Sequence, residues 1–291
     1  MHALLLLGFW MTGPAMADDL HHAMDGRLVD SQKVEGPELR SILETARLNH
    51  SSWNRLADLC DNIGARLAGS EALADAVEWS VAQLTQAGAD SVWKEAVMVP
   101  TWIRGEESAR MLTPREQPLS ILGLGGTVAG DVEGEVVVVH DIDGMGEEVK
   151  DRIVLLDVAM EETRPAFKGY GGAVGARIHG PTKAAKLGAK AVMLRSLTTR
   201  SLDTPHTGVT RYGSVETSIP AVAITMEDAA SMRRLVESGT PVRVAIKTSG
   251  KTLPDSESHN VIAEIHGTKH PNEIVLIGAH LDSWDVGQGA H

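Results

Sequence analysis

Cysteine is nearly absent from the sequence: Cys60 is the single cysteine among 291 residues, so no disulfide can form within them. Cys60 lies in the helical pattern of Leu56, Leu59 and Ile63, which places the thiol on an apolar face. We therefore predict a buried and unreactive side chain. A nucleophile and an intermolecular disulfide are the alternatives.

Aromatic residues and net positive charge are also lacking. Phe, Trp and Tyr make up 3% of the chain, and the formal net charge is -12. Because aromatic side chains are few, stacking platforms for nucleic-acid bases are not expected. The acidic excess argues against nucleic acid or an anionic membrane surface as a partner. The length leaves room for two domains, each with its own hydrophobic core.

Hydrophobic runs long enough to span a membrane are lacking as well. The apolar run from Ala3 to Met11 is too short, and residues 1–17 have the features of a secretory signal peptide. Ala15-Met16-Ala17 fits the small-x-small cleavage pattern, with Asp18 as the first mature residue. The run lacks a preceding Lys or Arg, so a buried N-terminal helix is the alternative. We expect a secreted or periplasmic protein.

The stretch from Glu273 to His291 carries the residues most indicative of chemistry. Ile274 to Ile277 is a short apolar run that suits a strand buried on both faces. Residues two apart on a strand project to the same side, so His280 and Asp282 are expected to point together from its C-terminal end. Ligands bind at that end in open α/β sheets. An imidazole beside a carboxylate there indicates a zinc site, and a hydrogen-bonded strand-end histidine is the alternative.

The longer string His280-Leu-Asp-Ser-Trp-Asp-x-Gly-x-Gly-Ala290 resembles the first metal-ligand segment of the co-catalytic zinc exopeptidases, metallopeptidase family twenty-eight. Within that family, residues 283–290 are most similar to a carboxypeptidase branch. The resemblance implies that His280 is a ligand to one of two Zn2+ ions, and that Asp282 lies behind the ligands and orients an imidazole. It also implies a dipeptidase or exopeptidase that hydrolyses dipeptides and short peptides with free termini through a zinc-activated water.

In the resembling family, several site residues lie beyond the position of Ala290: a metal-bridging aspartate, a general-base glutamate, other carboxylate ligands and a second histidine. His291 stands where that family has a non-ligand. We therefore expect these residues to form the N-terminal part of such an enzyme. The 291-residue chain is expected to be inactive, because one imidazole does not hold zinc tightly. Ile274 to Ile277 are then expected to be left uncovered.

The order of the segments predicts an α/β zinc-exopeptidase domain, incomplete at its C-terminus, with an inserted β-rich domain. Short β runs separated by Gly- and Pro-rich turns resemble the protease-associated domain that this family carries. His259 to Ile265 and Asn272 to Ala279 are predicted to pair as an antiparallel hairpin. The predicted divisions are a signal peptide at 1–17, peptidase domain at 18–113, the insertion at 114–250 and the start of the zinc-binding core at 251–291.

Three helices are predicted before the first strand. One runs from Pro37 to about Leu48, and Ser51 or Ser52 caps the second. Ser70 is the predicted N-cap of a helix from Glu71 to Ala87, which Gly88 stops. The resembling family has an Arg-x-x-Gly-Ser segment at Arg66 to Ser70, and we interpret Arg66 and Ser70 as setting the fold rather than acting in catalysis.

Three further groups of residues are candidates for functional sites. His206, in the string Pro205-His206-Thr207-Gly208, is either a substrate contact or a surface-loop residue, and we predict the surface loop. Gly169 to Gly175 lacks the preceding strand and the Lys-Ser or Lys-Thr of a phosphate-binding loop, so we predict a flexible loop. Arg233 and Arg234 are predicted to lie on the solvated face of a helix.

A binding module is the rival function, because transferrin-receptor-like relatives keep the two folds without the metals. The residues after Ala290 discriminate between the two, since Asp-Asp-Gly favours the enzyme. A protease-associated domain that binds a ligand by itself is a second alternative. The resemblance implies small peptide substrates and a homodimer.

Overall fold

The computed structural model describes residues 2–7, 36–163, 166–200, 202–213 and 218–290. They form an α/β protein, which confirms the predicted fold class. The described residues fall into two compact units, one up to Thr101 and from Asp255 onward, the other Trp102–Pro254. The predicted insertion, 114–250, lies within the second unit, which extends beyond it at both ends. Its kinship with protease-associated domains stays a prediction.

Three consecutive helices precede most of the strands, and two further helices lie between strands of the second unit. The helices are α1 (Pro37–Leu48), α2 (Ser51–Asn62), α3 (Glu71–Gln86), α4 (Ala166–Lys186) and α5 (Met226–Glu237). The strands are β1 (His2–Leu7), β2 (Ser91–Ile103), β3 (Glu107–Thr113), β4 (Gln117–Leu119), β5 (Ile121–Gly123), β6 (Gly130–Val139), β7 (Ile153–Leu156), β8 (Ala191–Arg195), β9 (Ala221–Ile224), β10 (Arg243–Thr248), β11 (Lys251–Ile265) and β12 (Ile274–Ala279). None of the helices in the described ranges is long and apolar enough to cross a membrane.

The ends of the first three helices follow local sequence chemistry. Pro37 occupies the first turn of α1, where its missing N–H costs no hydrogen bond. Ser70 caps α3 as predicted, because its Oγ accepts a hydrogen bond from the backbone N–H of Leu73 at 3.1 Å. The predicted serine cap of α2 is wrong. The carboxamide oxygen of Asn49 accepts from the N–H of Ser51 instead, at 2.8 Å.

A four-stranded sheet in the first unit has the order β12-β1-β11-β2. β1 runs antiparallel to β11, with Leu4 opposite Glu264, and parallel to β12, with Leu4 opposite Leu276. β12 is therefore antiparallel to β11, as predicted, but the two strands do not pair directly because β1 lies between them. Of the predicted signal peptide, only 2–7 belongs to the described residues, and the cleavage site after Ala17 lies outside them.

The predicted burial of β12 on both faces is wrong. The four residues of its apolar run are exposed: Ile274 by 66%, Val275 by 42%, Leu276 by 54% and Ile277 by 57%. This exposure agrees with the expectation that the apolar faces of the strand are left uncovered. Such a contiguous apolar surface is typical of a face that another polypeptide covers.

The second unit is built on an eight-stranded sheet of order β4-β3-β10-β6-β7-β8-β9-β5. The four strands from β6 to β9 are parallel, and β10 and β5 flank them in antiparallel orientation. All four residues of β7 and all four of β9 are buried, as expected for strands covered on both faces. Alternate residues supply two cores: Val154, Leu156, Val192 and Leu194 face one, and Ile153, Leu155, Ala191 and Met193 face the other.

The flexible loop predicted at Gly169 to Gly175 is wrong, because these residues lie inside α4. Ala173 and Ala176 are buried against the core, with 2% and 6% exposure. At Gly180, a Cβ atom would lie 2.4 Å from Cδ1 of Leu156 in β7. Small residues let this helix approach the sheet closely, and the packing gained outweighs the weak helix propensity of glycine.

Candidate functional site

The structure brings the two predicted site residues together just after β12. Nδ1 of His280 lies 2.8 Å from Oδ1 of Asp282. The imidazole is 65% exposed, whereas the carboxylate is only 15% exposed. An ionised carboxylate can only accept a hydrogen bond, so in a neutral ring this contact assigns the proton to Nδ1 and leaves the lone pair on Nε2.

The His280–Asp282 pair fits zinc as one ligand together with the carboxylate that orients it. Across the described ranges, no group of three or more His, Cys, Asp and Glu side chains is placed to hold a metal ion. Because zinc sites in proteins take at least three protein ligands, the pair by itself does not make up a zinc site. His291, expected to be a non-ligand, lies outside the described residues.

A buried arginine underlies the segment that carries the pair. Arg66 is 4% exposed. Its Nε donates to the carbonyl oxygen of Leu281 at 2.6 Å, and its Nη1 donates to that of Gly289 at 2.6 Å. A further bond from Nη1 reaches the carbonyl oxygen of Gly64 at 2.8 Å. One guanidinium therefore contacts both ends of segment 281–289.

Backbone bonds between Arg66 and Ser283 add to this contact. The N–H of Arg66 donates to Oγ of Ser283, and the N–H of Ser283 donates to the carbonyl oxygen of Arg66, both at 3.0 Å. Burial lowers the pKa of the Arg66 guanidinium, and nearby Cys60 and Asp282 oppose that shift. Because arginine has the highest pKa of the side chains, the guanidinium stays positive at neutral pH.

The sequence interpretation of Arg66 was incomplete. It was predicted to set the fold, and the structure shows that it also contacts the candidate site segment directly. Ser283 lies in the string that carries the family resemblance, but no role of its own was predicted for it. The contacts join residues more than 200 positions apart, which no local pattern reports. The Arg-x-x-Gly-Ser string was the one sequence feature that pointed to Arg66. A charged residue among apolar neighbours is rarely buried unless it has polar partners.

A second charged cluster lies where the parallel strands of the second unit end. The side chain of Asp157, just after β7, is 3% exposed and lies 3.6 Å from Arg195 and 3.1 Å from Arg233. His140, just after β6, is 3.7 Å from the same carboxylate. Arg233 is therefore an ion-pair partner rather than a purely solvated residue. The two positive charges of the arginines are balanced by Asp157 and the nearby Glu237. This balance favours a structural role for the cluster.

The remaining predicted candidates stand apart from the His280–Asp282 pair in the chain. His206 is exposed in the loop after β8, and its backbone N–H donates to Oγ of Ser196 at 2.8 Å. Cys60, predicted to be buried, is only partly buried at the end of α2.

Comparisons with known proteins identify relatives of the chain. Residues 260–291 match the family model of Peptidase family M28. Carboxypeptidase Q of Xenopus laevis is 40% identical over 260 residues, which cover 86% of this chain and 54% of that protein. Carboxypeptidase Q of Homo sapiens is 40% identical over 264 residues, which cover 88% and 54%. The chain thus spans about half the length of the curated relatives it matches.

A solved structure supports the same relationship. The crystal structure of a Peptidase M28 precursor from Shewanella amazonensis superposes with a TM-score of 0.83 at 35% sequence identity. The match covers 86% of this chain and 58% of that one. Both the sequence and the fold therefore relate the described residues to M28 peptidases.

Proposed function

Because this chain is a relative of the M28 peptidases and spans about half the length of the carboxypeptidases Q that it matches, we propose that it supplies His280 and Asp282 to the active site of a zinc-dependent exopeptidase. The proposed substrates are dipeptides and short peptides with free termini. The observation that carries the proposal is the 2.8 Å contact between the two side chains, inside the range that matches the M28 family model.

Each residue has a separate task in this proposal. Asp282 holds the proton of His280 on Nδ1, which fixes the tautomer and the ring plane, and directs Nε2 toward the metal. Burial of Asp282, at 15% exposure, protects this hydrogen bond from competition with water. When bound, a pair of zinc ions supplies a nucleophilic water at neutral pH and polarises the scissile carbonyl.

Removal of the metal tests this function. The protein expressed from its natural gene, with whatever residues follow His291, is expected to hydrolyse dipeptides and to lose this activity after dialysis against a chelator. Zinc should restore hydrolysis and magnesium should not, because imidazole ligands suit zinc. The 291-residue chain alone is expected to be inactive in the same assay. Full hydrolysis after verified metal removal would contradict the proposal, and absence of any hydrolysis would favour the metal-free binding module.

We also propose that the protein is exported and cleaved after Ala17. The support is the short apolar run that ends in Ala15-Met16-Ala17. Cleavage there would remove β1, so the mature chain is expected to lack the strand between β11 and β12. Intact-mass analysis of protein recovered outside the cytoplasm should show Asp18 as the first residue. Exported protein that retains Met1 would refute the assignment.

A further inference from the structure

We propose that Arg66 is a positioning residue for the metal-binding pair: its guanidinium and backbone fix the peptide groups on both sides of Asp282, and Asp282 then fixes His280. The inference rests on the proposed function only for the identity of the bound metal. The positioning itself is a property of the metal-free chain and is testable there.

The first step of the argument is the placement of the guanidinium bonds. Leu281 stands between His280 and Asp282, and its carbonyl oxygen accepts from Nε of Arg66 at 2.6 Å. The carbonyl of Gly289, near the other end of the segment, accepts from Nη1 at 2.6 Å. Hydrogen bonds from a charged donor are about twice as strong as neutral ones. Both ends of segment 281–289 are therefore hydrogen-bonded to the same charged group.

The second step concerns the peptide group that follows Asp282. The N–H of Ser283 donates to the carbonyl oxygen of Arg66, and Oγ of Ser283 accepts from the N–H of Arg66. With the Leu281 carbonyl held as well, the backbone on either side of Asp282 is tied to the same residue. The χ angles of Asp282 are then the main remaining freedom of its carboxylate.

The third step is the contrast in burial between the two members of the pair. The His280 imidazole is 65% exposed, so packing contributes little to its orientation. Its 2.8 Å hydrogen bond to Oδ1 of Asp282 therefore contributes to the orientation of the ring. Any displacement of the Asp282 backbone is transmitted to the imidazole through this bond.

The fourth step is the fit of the surroundings to an arginine. At Gly289, which has φ +82°, a Cβ atom would lie 2.3 Å from the carbonyl oxygen of Gly64 and 2.8 Å from Nη1 of Arg66. Only glycine permits this approach. Three carbonyl oxygens accept from the planar fork of the guanidinium, a geometry that the point charge of lysine does not reproduce.

The test compares Arg66→Met and Arg66→Lys with the unchanged 291-residue chain. Nitrogen-15 NMR of the imidazoles in metal-free protein reports which ring nitrogen of His280 is protonated. We expect a single tautomer, protonated on Nδ1, in the unchanged chain and a mixture in Arg66→Met, with Arg66→Lys in between. In the protein from the natural gene, zinc affinity is expected to fall by roughly 10–100-fold, as for other partners that orient metal ligands.

Arg55→Met is the matched control, because Arg55 is exposed and, among the residues that the structure describes, its Nε donates to the side chain of Gln83 at 3.2 Å. It should leave the His280 tautomer and the zinc affinity unchanged. A folded Arg66→Met protein with the tautomer of the unchanged chain would overturn the proposal. If Arg66→Met fails to fold, Arg66→Lys decides. It removes the planar fork that reaches three carbonyl oxygens, and an unaltered tautomer in that variant would overturn the proposal equally. An inactive natural protein with the expected tautomer shift would refute the proposed function and leave the positioning role standing.

Discussion

Replacing His280 with alanine is expected to reduce the zinc-dependent hydrolysis of dipeptides to the level of the metal-free protein, with the fold retained. The side chain is 65% exposed, so its removal eliminates few packing contacts and should change the stability of the fold little. Loss of a metal ligand, by contrast, removes both metal affinity and the geometry of the site. Steady-state hydrolysis and zinc content, measured together on protein from the natural gene, check this result.

Two variants make the result specific. His270→Ala is the matched control, because His270 is also exposed and also faces a carboxylate, Glu273, at 3.4 Å. It should retain full activity. Asp282→Asn keeps the shape of the orienting residue but removes its charge, and zinc affinity should fall by roughly 10–100-fold. Unchanged zinc content and turnover in His280→Ala would show that another residue is the ligand.

Replacing Leu155 with alanine is expected to destabilise the second unit by about 2–5 kcal/mol, the range measured for buried leucines elsewhere. Leu155 is fully buried in β7, the strand between β6 and β8, and its neighbours on the same face include Ile153 and Met193. A cavity at this position cannot be filled by water, because the lining is apolar. Hydrogen exchange of the β7 and β8 amides at increasing urea concentration measures the change.

Leu202→Ala is the control for the Leu155 variant, because it makes the same chemical change at a residue that is 90% exposed. Its effect on the free energy of unfolding should lie within about 0.5 kcal/mol of zero. Equal protection of the β7 amides in both variants would show that the sheet core described above does not govern the stability of this unit.

Features set by neighbouring residues were predictable from the sequence. Ser70 caps α3, and Gly88 follows its end with φ +87°, because both effects depend on residues within one turn. His280 and Asp282 were also found from local spacing, because the pleat of a strand places alternate residues together. The string up to Ala290 carried the family resemblance, and the matched relatives agree with that family; the roles of the two residues stay predictions.

Features set by distant contacts were not predictable. The glycines of α4 predicted a loop because glycine has a weak helix propensity, which is a local property. The helix is stabilised by the packing of Ala173 and Ala176 on the sheet, which depends on residues distant in the sequence. The apolar residues of β12 indicated a buried strand, and the described structure leaves them exposed. Arg66 was read as a fold residue because its partners, Leu281 and Gly289, lie 215 and 223 positions away.

The most direct test of the central claim is the position of the metal itself. Crystals of the protein from the natural gene, grown with zinc, should give an anomalous difference peak at the zinc edge about 2.0–2.1 Å from Nε2 of His280. Asp282 should remain on Nδ1 of the same ring, with Arg66 beneath it. Zinc bound elsewhere in the protein, with His280 in contact with solvent alone, would contradict the account.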